Sequence, residues 1–414
     1  MENWKRTIVL FLTSQTISLF GSALVQYAIM WYVTLETKSG MMMTLYILFG
    51  FVPTFILSPF AGVWVDQFNR KKLIAISDGL IAVTTLILAI TFMMGYEAMW
   101  LLFLAVAIRA LGAAIQVPAV SAILPQMVPE DQLVRVNGIN GSIQAATMFI
   151  APIVSASLLT FADLKSIFFI DVVTAMIGIG TLLLFIPIKS HAKATLEKVR
   201  YIEDLKKGLQ YINRQKFLKP FFFFFAIIFF LAAPIAFLTP LQTVRSFGDE
   251  VWRLTAIELA FTGGMVIGGG LIALWAGLRN RIKTMLAGGI VIAVTTIAIG
   301  LSTNFTIYLV FMAVCGLAMP YFNTPSMTFL QERVDPNYLG RIFGIFSMIS
   351  SSMMPIGMLV FGPIADVVKI EWLLIISGSL MLLVGCIFAF TSSFIQADHP
   401  LKKESEATKQ FDIG

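Results

Sequence analysis

Asn69–Thr85 reads NRKKLIAISDGLIAVTT, and Asn280–Thr296 reads NRIKTMLAGGIVIAVTT. From 69 to 280 the shift is 211 residues. Both stretches open on Asn-Arg with a lysine at the fourth place. Both end on the same five residues, Ile81–Thr85 and Ile292–Thr296. The same shift lays Trp64 on Trp275. A shift of 206 lays Leu133, Arg135, Gly138 and Ile139 on Leu339, Arg341, Gly344 and Ile345. A shift of 203 lays Pro152-Ile153 on Pro355-Ile356 and Ala162-Asp163 on Ala365-Asp366. Apolar segments resemble one another by chance, but loop charges and prolines in register do not. The matches keep chain order, so the chain is two copies of one unit, and that repeat sets the architecture.

What each unit contains follows from its hydrophobic blocks. Of 414 residues 58% are hydrophobic and 13% are charged, about half the charged share of a soluble domain. The apolar residues arrive in blocks of roughly twenty, enough to cross ~30 Å of hydrocarbon as a helix. Strand-length alternation of a barrel is not seen, and in lipid the alternative that bonds every backbone group is a helix bundle. The blocks predict helices over 8–35, 43–65, 73–95, 99–120, 140–161, 166–187, 217–240, 255–277, 284–302, 305–327, 340–362 and 372–395. The fold expected is an all-α membrane protein with twelve transmembrane helices as two six-helix bundles. The N-terminal bundle is 1–187, and 188–216 is a cytoplasmic linker with an amphipathic stretch over Tyr201–Tyr211. The C-terminal bundle is 217–396, and 397–414 is a polar cytoplasmic tail. The first block is too long for a signal peptide and lacks a small-residue cleavage pattern, so it reads as a retained helix.

Basic residues fix the orientation. With the N-terminus in the cytoplasm, 23 of the 29 lysines and arginines fall inside and five outside, leaving Arg109 within a helix. Both termini are therefore expected in the cytoplasm of a bacterial cell (plasma) membrane. The net charge of +6 belongs to that asymmetry and signals no nucleic acid. Cys315 and Cys386 lie in apolar blocks and His191 and His399 in polar ones, with no disulfide, metal or cofactor pattern. The absence of a His-x-x-x-His pair or other catalytic set argues against an enzyme. The absence of a phosphate-binding Gly-x-x-x-x-Gly-Lys-Ser/Thr loop argues for ion-coupled rather than ATP-driven transport.

The loop after the second helix reads Gly62-Val-Trp-Val-Asp66-Gln-Phe-Asn-Arg70-Lys71-Lys72. It resembles the signature of the major facilitators. The resemblance implies a gate: Gly62 for close helix approach, Asp66 for a partner across the halves, Arg70 and Lys71 as anchors. The second copy has Gly277 in place of Asp66. Helix four carries Arg109 in Ile108-Arg109-Ala110-Leu111-Gly112, which resembles the second motif of drug/proton antiporters. The repeat position, near Leu317, is apolar. The helix-five motif keeps its proline and small residues, Ala151-Pro152 with Ser155 and Ala156, but not its glycines. The whole chain is similar to the macrolide-efflux branch, through Gln15, Gln26, Asp78, Arg109, Asp171, Glu258 and Pro336–Arg341. That resemblance implies proton-driven export of lipophilic antibiotics such as macrolides, by alternating access. The alternative is a major facilitator for an endogenous solute such as a siderophore, lipid or metabolite.

Proton coupling needs a carboxyl in the membrane, where ionisable groups mark function or a structural partner. Asp78, Asp171 and Glu258, with Arg109 biasing the nearest, are the candidates. Each also admits a purely structural reading. Polar residues at helical spacing point to a substrate cavity between the halves: Gln15, Ser22 and Gln26 in helix one, Asn140 and Gln144 in helix five. Tyr27, Trp31, Tyr321 and Asn323 extend it. Such stripes also serve as glue between helices. The run Phe221–Phe225 covers every side of its helix, and most of it is expected to face lipid. The partners implied are a small lipophilic substrate, protons and the bilayer, and the expected state is a monomer.

Overall fold

The computed structural model describes residues 4–187, 201–215, 217–275 and 280–390. Gly277, linker residues 188–200 and 216, and the tail 397–414 lie outside these. Every regular element among the described residues is helical. The first six long helices are α1 (Trp4–Thr37), α2 (Gly40–Gln67), α3 (Arg70–Met93), α4 (Met99–Met127), α5 (Leu133–Phe161) and α6 (Leu164–Phe185). A 3₁₀ turn, Glu130–Gln132, precedes α5. Then come α7 (Tyr201–Arg214), α8 (Leu218–Leu231), α9 (Ala233–Phe237) and α10 (Thr239–Ser246). The last five are α11 (Val251–Trp275), α12 (Arg281–Leu301), α13 (Phe305–Arg333), α14 (Pro336–Ile364) and α15 (Ile370–Phe390). Eleven of these are long and apolar enough to cross a membrane.

The repeated Asn-Arg-x-Lys has a structural cause. Asn69 caps α3 by accepting from the Lys72 amide at 3.1 Å, and Asn280 caps α12 by accepting from the Lys283 amide at 2.7 Å. The side chain satisfies an amide that the helix start leaves open, so the motif starts the same helix in both halves. The repeat extends to length: α4 and α13 each have 29 residues, as do α5 and α14.

The expected seventh span, 217–240, is not one helix. It breaks at Ala232 and Leu238 into α8, α9 and α10. Pro234 and Pro240 stand in the first turns of α9 and α10. Each lacks an N–H and clashes with the preceding turn, so each is tolerated at a helix start and not mid-helix. The series α8–α10 takes the place of the seventh span, which gives the two six-helix bundles.

In the first half α1 packs on α5 and α6, α2 on α4, and α3 on α4 and α6; in the second, α13 packs on α11 and α12, and α12 on α15. Across the halves α2 meets α14 and α5 meets α11. Apolar side chains gain nothing by leaving lipid for a neighbouring helix, so close backbone approach has to hold such bundles. The α11–α13 seam shows it. A Cβ on Gly264, Gly268 or Gly316 would overlap the carbonyls of Ala313, Leu317 and Phe261 respectively.

Most of the Phe221–Phe225 run does not face lipid. Phe221, Phe222, Phe224 and Phe225 are buried, and only Phe223 is exposed, at 61%. Phe225 stands 5.0 Å from both Phe322 and Phe346, ring centre to ring centre, and Phe221 stands 5.4 Å from Phe329. The helix is wrapped by α13 and α14, which cover the sides that an isolated helix would give to lipid. The amphipathic α7 lies against α14: Tyr211 stacks on Tyr338 at 4.4 Å and its hydroxyl accepts from the Asp335 amide at 3.2 Å.

Candidate functional site: a buried charge cluster beside a cavity

Four helices of the first half deliver polar groups to one point. Arg109 projects from α4, Asp171 from α6, Thr85 from α3 and Ser22 from α1. The Arg109 guanidinium donates through Nη1 to Asp171 Oδ2 at 2.5 Å and through Nη2 to the Ser22 carbonyl at 3.2 Å. It also donates to the Thr85 hydroxyl. Thr85 Oγ1 lies 2.9 Å from Asp171 Oδ2, and Ser22 Oγ donates to Oδ1 at 3.1 Å. Asp171 is 0% exposed and Arg109 9%. A charge at this depth is tolerated only with a partner, and each has the other. Arg109, Gly112 and Gln116 share one face of α4, and each meets a neighbour. Gly112 lets α4 approach Ser77 and Ile81 of α3, and Gln116 donates to Gln15 of α1 at 3.1 Å.

Asp78 lies seven residues before Thr85 on the same face of α3. It is 3% exposed, and its Oδ2 has no hydrogen-bond partner. It lies within electrostatic reach of Asp171. Glu258 on α11 stands apart from this group, close enough to Tyr27 of α1 to influence it. The four candidate groups therefore divide: Arg109 and Asp171 are paired, Asp78 is beside them, and Glu258 is across the interface.

A cavity of about 520 Å³ reaches this cluster. Its first-half wall includes Ser22, Gln26, Tyr46, Thr54 and Arg109; its second-half wall includes Phe237, Ser350, Ser351 and Met354. Of the expected cavity residues, Ser22 and Gln26 line it. Gln15 is turned to Gln116. Trp31 is fully buried in a core cluster with Ala156, Val244 and Leu254, its ring 5.6 Å from that of Tyr27. Tyr27, Asn140, Gln144, Tyr321 and Asn323 are outside this lining. The second-half wall was missed. Its signal was the spacing Ser347, Ser350, Ser351, Met354 on one face of α14, the helix that the repeat aligns with α5.

The loop residues expected to gate make contacts within their own half. Arg70 donates to the carbonyls of Val65 at 3.2 Å and Ala122 at 2.7 Å, tying α2 and α3 to the end of α4. Asp66 pairs with Arg70 of its own half at 3.5 Å. Lys71 donates to the carbonyls of Leu183 at 3.0 Å and Ile186 at 2.7 Å, where the open carbonyls at the end of α6 favour a cation. Gly62 lies within α2, before Asp66.

The Major Facilitator Superfamily pattern matches residues 7–358. The chain belongs to that superfamily. Macrolide efflux protein A of Streptococcus pyogenes is 30% identical to this facilitator over 389 residues, covering 93% of this chain and 96% of that protein. Macrolide efflux protein A of Enterococcus faecalis is 31% identical over 314 residues, covering 75% of this chain and 97% of that protein. Among solved structures, a nucleoside transporter shares the fold with a TM-score of 0.72 at 16% identity, over 95% of this chain and 100% of that one. This facilitator is thus a multi-pass membrane transporter with bacterial relatives. Between its halves it holds a largely apolar cavity that Arg109 of the buried ion pair lines.

Proposed function

We propose that this facilitator is a proton-coupled exporter of lipophilic drugs such as macrolide antibiotics, working by alternating access. The observation that carries this reading is the Arg109–Asp171 pair, buried yet reached by a cavity whose walls come from both halves. Such a cavity offers a lipophilic solute apolar contact and a few hydroxyls. It offers no unpaired cation for a small anion. The relatives named for macrolide efflux support the substrate class. The halves 1–187 and 217–396, joined by 188–216, rock about the cavity. Both termini are in the cytoplasm, and 397–414 is a cytoplasmic tail. Asp78 is the group best placed to exchange protons, since its Oδ2 has no donor and it lies near a charge pair that can re-form around it. Glu258 is the second candidate. Gly62, Asp66, Arg70 and Lys71 form the cytoplasmic gate, with Asp66 changing partner as that side closes. The protein works as a monomer, with no cofactor and no chemical catalysis.

The test is macrolide accumulation in everted membrane vesicles with and without a proton gradient, together with susceptibility of an expressing host. Gradient-dependent accumulation and raised resistance are expected. Accumulation unchanged when the gradient is collapsed would refute the coupling, and unchanged susceptibility would refute the substrate class.

A further inference from the structure

The end of the molecule that carries the α1–α2 connection is fastened across the halves by a group outside the cavity and outside the known motifs. Asp366 follows α14 in the second half. Its Oδ1 accepts from the Gly40 amide at 2.7 Å. Its Oδ2 accepts from the Met41 amide at 2.9 Å and from the Ser39 hydroxyl at 2.8 Å. Gly40 and Met41 are the first residues of α2 in the first half. Helix starts leave such amides unpaired, and an anion there is favoured by both hydrogen bonding and the helix dipole. Their usual partner is a side chain just before the helix. Here it comes from a residue more than three hundred positions away.

Arg245 of α10 completes the arrangement. It donates to Asp366 Oδ1 at 2.8 Å, to the Ala365 carbonyl at 2.5 Å, and twice to the Lys38 carbonyl, at 3.0 Å and 2.5 Å. Lys38 is the one non-glycine among the described residues with a positive φ, 46°, a conformation that costs a side-chain-bearing residue energy and needs support. One arginine therefore holds the end of α1, the carboxylate and the end of α14 together. Beneath it the backbones are in contact: a Cβ on Gly40 would overlap the Gly362 carbonyl, and Thr44 donates to the Met358 carbonyl at 3.1 Å. At the opposite end, the described ion pairs Asp66–Arg70 and Arg281–Glu332 each stay within one half.

We infer that Asp366, clamped by Arg245, is a releasable cap in trans on α2: it locks the α1–α2 end shut, and its departure is the opening step at that end. The geometry is suited to a switch because the bonds are few, directional and at the surface, so water replaces them on opening. A packed apolar seam could not be exchanged so cheaply. The inference rests on the alternating-access reading and adds the element that sets its resting position.

The test is a spin-label distance between Glu36→Cys and Trp372→Cys, both exposed positions at this end, in lipid nanodiscs with Cys315 and Cys386 replaced. Asp366→Ala removes all four hydrogen bonds to the carboxylate and is expected to raise the open-to-closed ratio by roughly tenfold, the size of one charged hydrogen bond. Gly40→Ala keeps the amide and the carboxylate but wedges the seam, and is expected to open the same end. Lys38→Gln removes the exposed Lys38–Asp249 pair at 2.9 Å and is expected to change the ratio little. A native protein that widens when a macrolide is added, beside an Asp366→Ala variant with the native resting ratio, would overturn the lock and leave the transport reading intact. A native distance that never changes would overturn alternating access itself, and an equally closed variant would then overturn the lock as well. Size-exclusion behaviour identical to native separates opening from misfolding.

Discussion

Replacing Asp171 with Asn strips the counter-ion from Arg109 while keeping the shape of the side chain. Thr85 and Ser22 hydroxyls can still reach the amide oxygen, so the loss is chiefly electrostatic. Arg109 is then a cation with 9% exposure and no carboxylate at 2.5 Å. Breaking one side of a buried pair costs about 3–5 kcal/mol, and an unpaired arginine mid-helix in a membrane about 2.5–3.5. The single variant is therefore expected to lose about 3 kcal/mol. Arg109→Met is expected to lose a similar amount by stranding Asp171. The double variant Arg109→Met, Asp171→Asn is expected to recover most of it, because neither charge is then left buried without its partner. Thermal unfolding of the four purified proteins in one detergent gives the coupling directly. Vesicle transport is expected to fail in all three variants, including the restabilised one. Single losses that simply add in the double variant, or full transport by the double variant, would refute the assignment.

Phe225→Ala is expected to cost about 3–5 kcal/mol in the same melts and Phe223→Ala less than about 0.5; equal effects would restore the lipid-facing reading of the run. Asp78→Asn is expected to leave melting unchanged or improved while abolishing gradient-driven uptake, and a variant that still concentrates drug would remove Asp78 from coupling. Ser351→Phe fills the second-half wall of the cavity and is expected to lower drug transport without lowering the melting temperature, read by vesicle uptake. Burial alone would raise the Asp366 carboxyl, but bonds from Met41, Gly40, Ser39 and Arg245 outweigh it and hold the group below its ordinary range. A lowered folded value means the lock is complete above the free carboxylate range, near pH 4, and is lost only as pH falls through the lowered one. The Glu36–Trp372 distance should therefore not change between about pH 8 and 5 and should widen in stronger acid; widening at neutral pH would contradict this.

The scaffold was legible because membrane helices declare themselves by length and because Asn69 and Asn280 repeat a cap, not merely a composition. The seventh span was misjudged for a local reason. Its hydropathy runs unbroken through Pro234 and Pro240, and hydropathy does not register a missing amide. The phenylalanine run was misjudged because periodicity describes an isolated helix. Phe221 and Phe225 face α13 and α14, and no pattern within α8 reports that. At the site, Arg109 and Asp171 were each visible as costly charges, but their pairing joins α4 to α6 and has no signature along the chain. The lock was out of reach for the same reason. Asp366 was noticed as a repeat match of Asp163, yet its partners are amides of Gly40 and Met41, which any residue supplies.

The repeat also separates what the fold needs from what transport needs. Aligning corresponding helices by their starts, α3 on α12, α4 on α13 and α6 on α15, lays Thr85 on Thr296, Arg109 on Cys315 and Asp171 on Ser377. All three second-half residues are 0% exposed, and none carries a charge at neutral pH. Thr296 bonds its hydroxyl to the Ile292 carbonyl at 2.7 Å, as Thr85 does to Ile81 at 2.9 Å, so the local packing is alike. The second half is therefore an internal control: the same arrangement of helices closes without an ion pair. A buried ion pair is weak evidence for stability, and here the molecule itself shows that the scaffold does not require one. Keeping Arg109 and Asp171 on one side only, with Arg109 at the cavity wall, agrees with the coupling role proposed for this half. It follows that placing Arg and Asp at 315 and 377 would add nothing to transport, whereas neutralising 109 and 171 together would leave a folded protein that cannot pump.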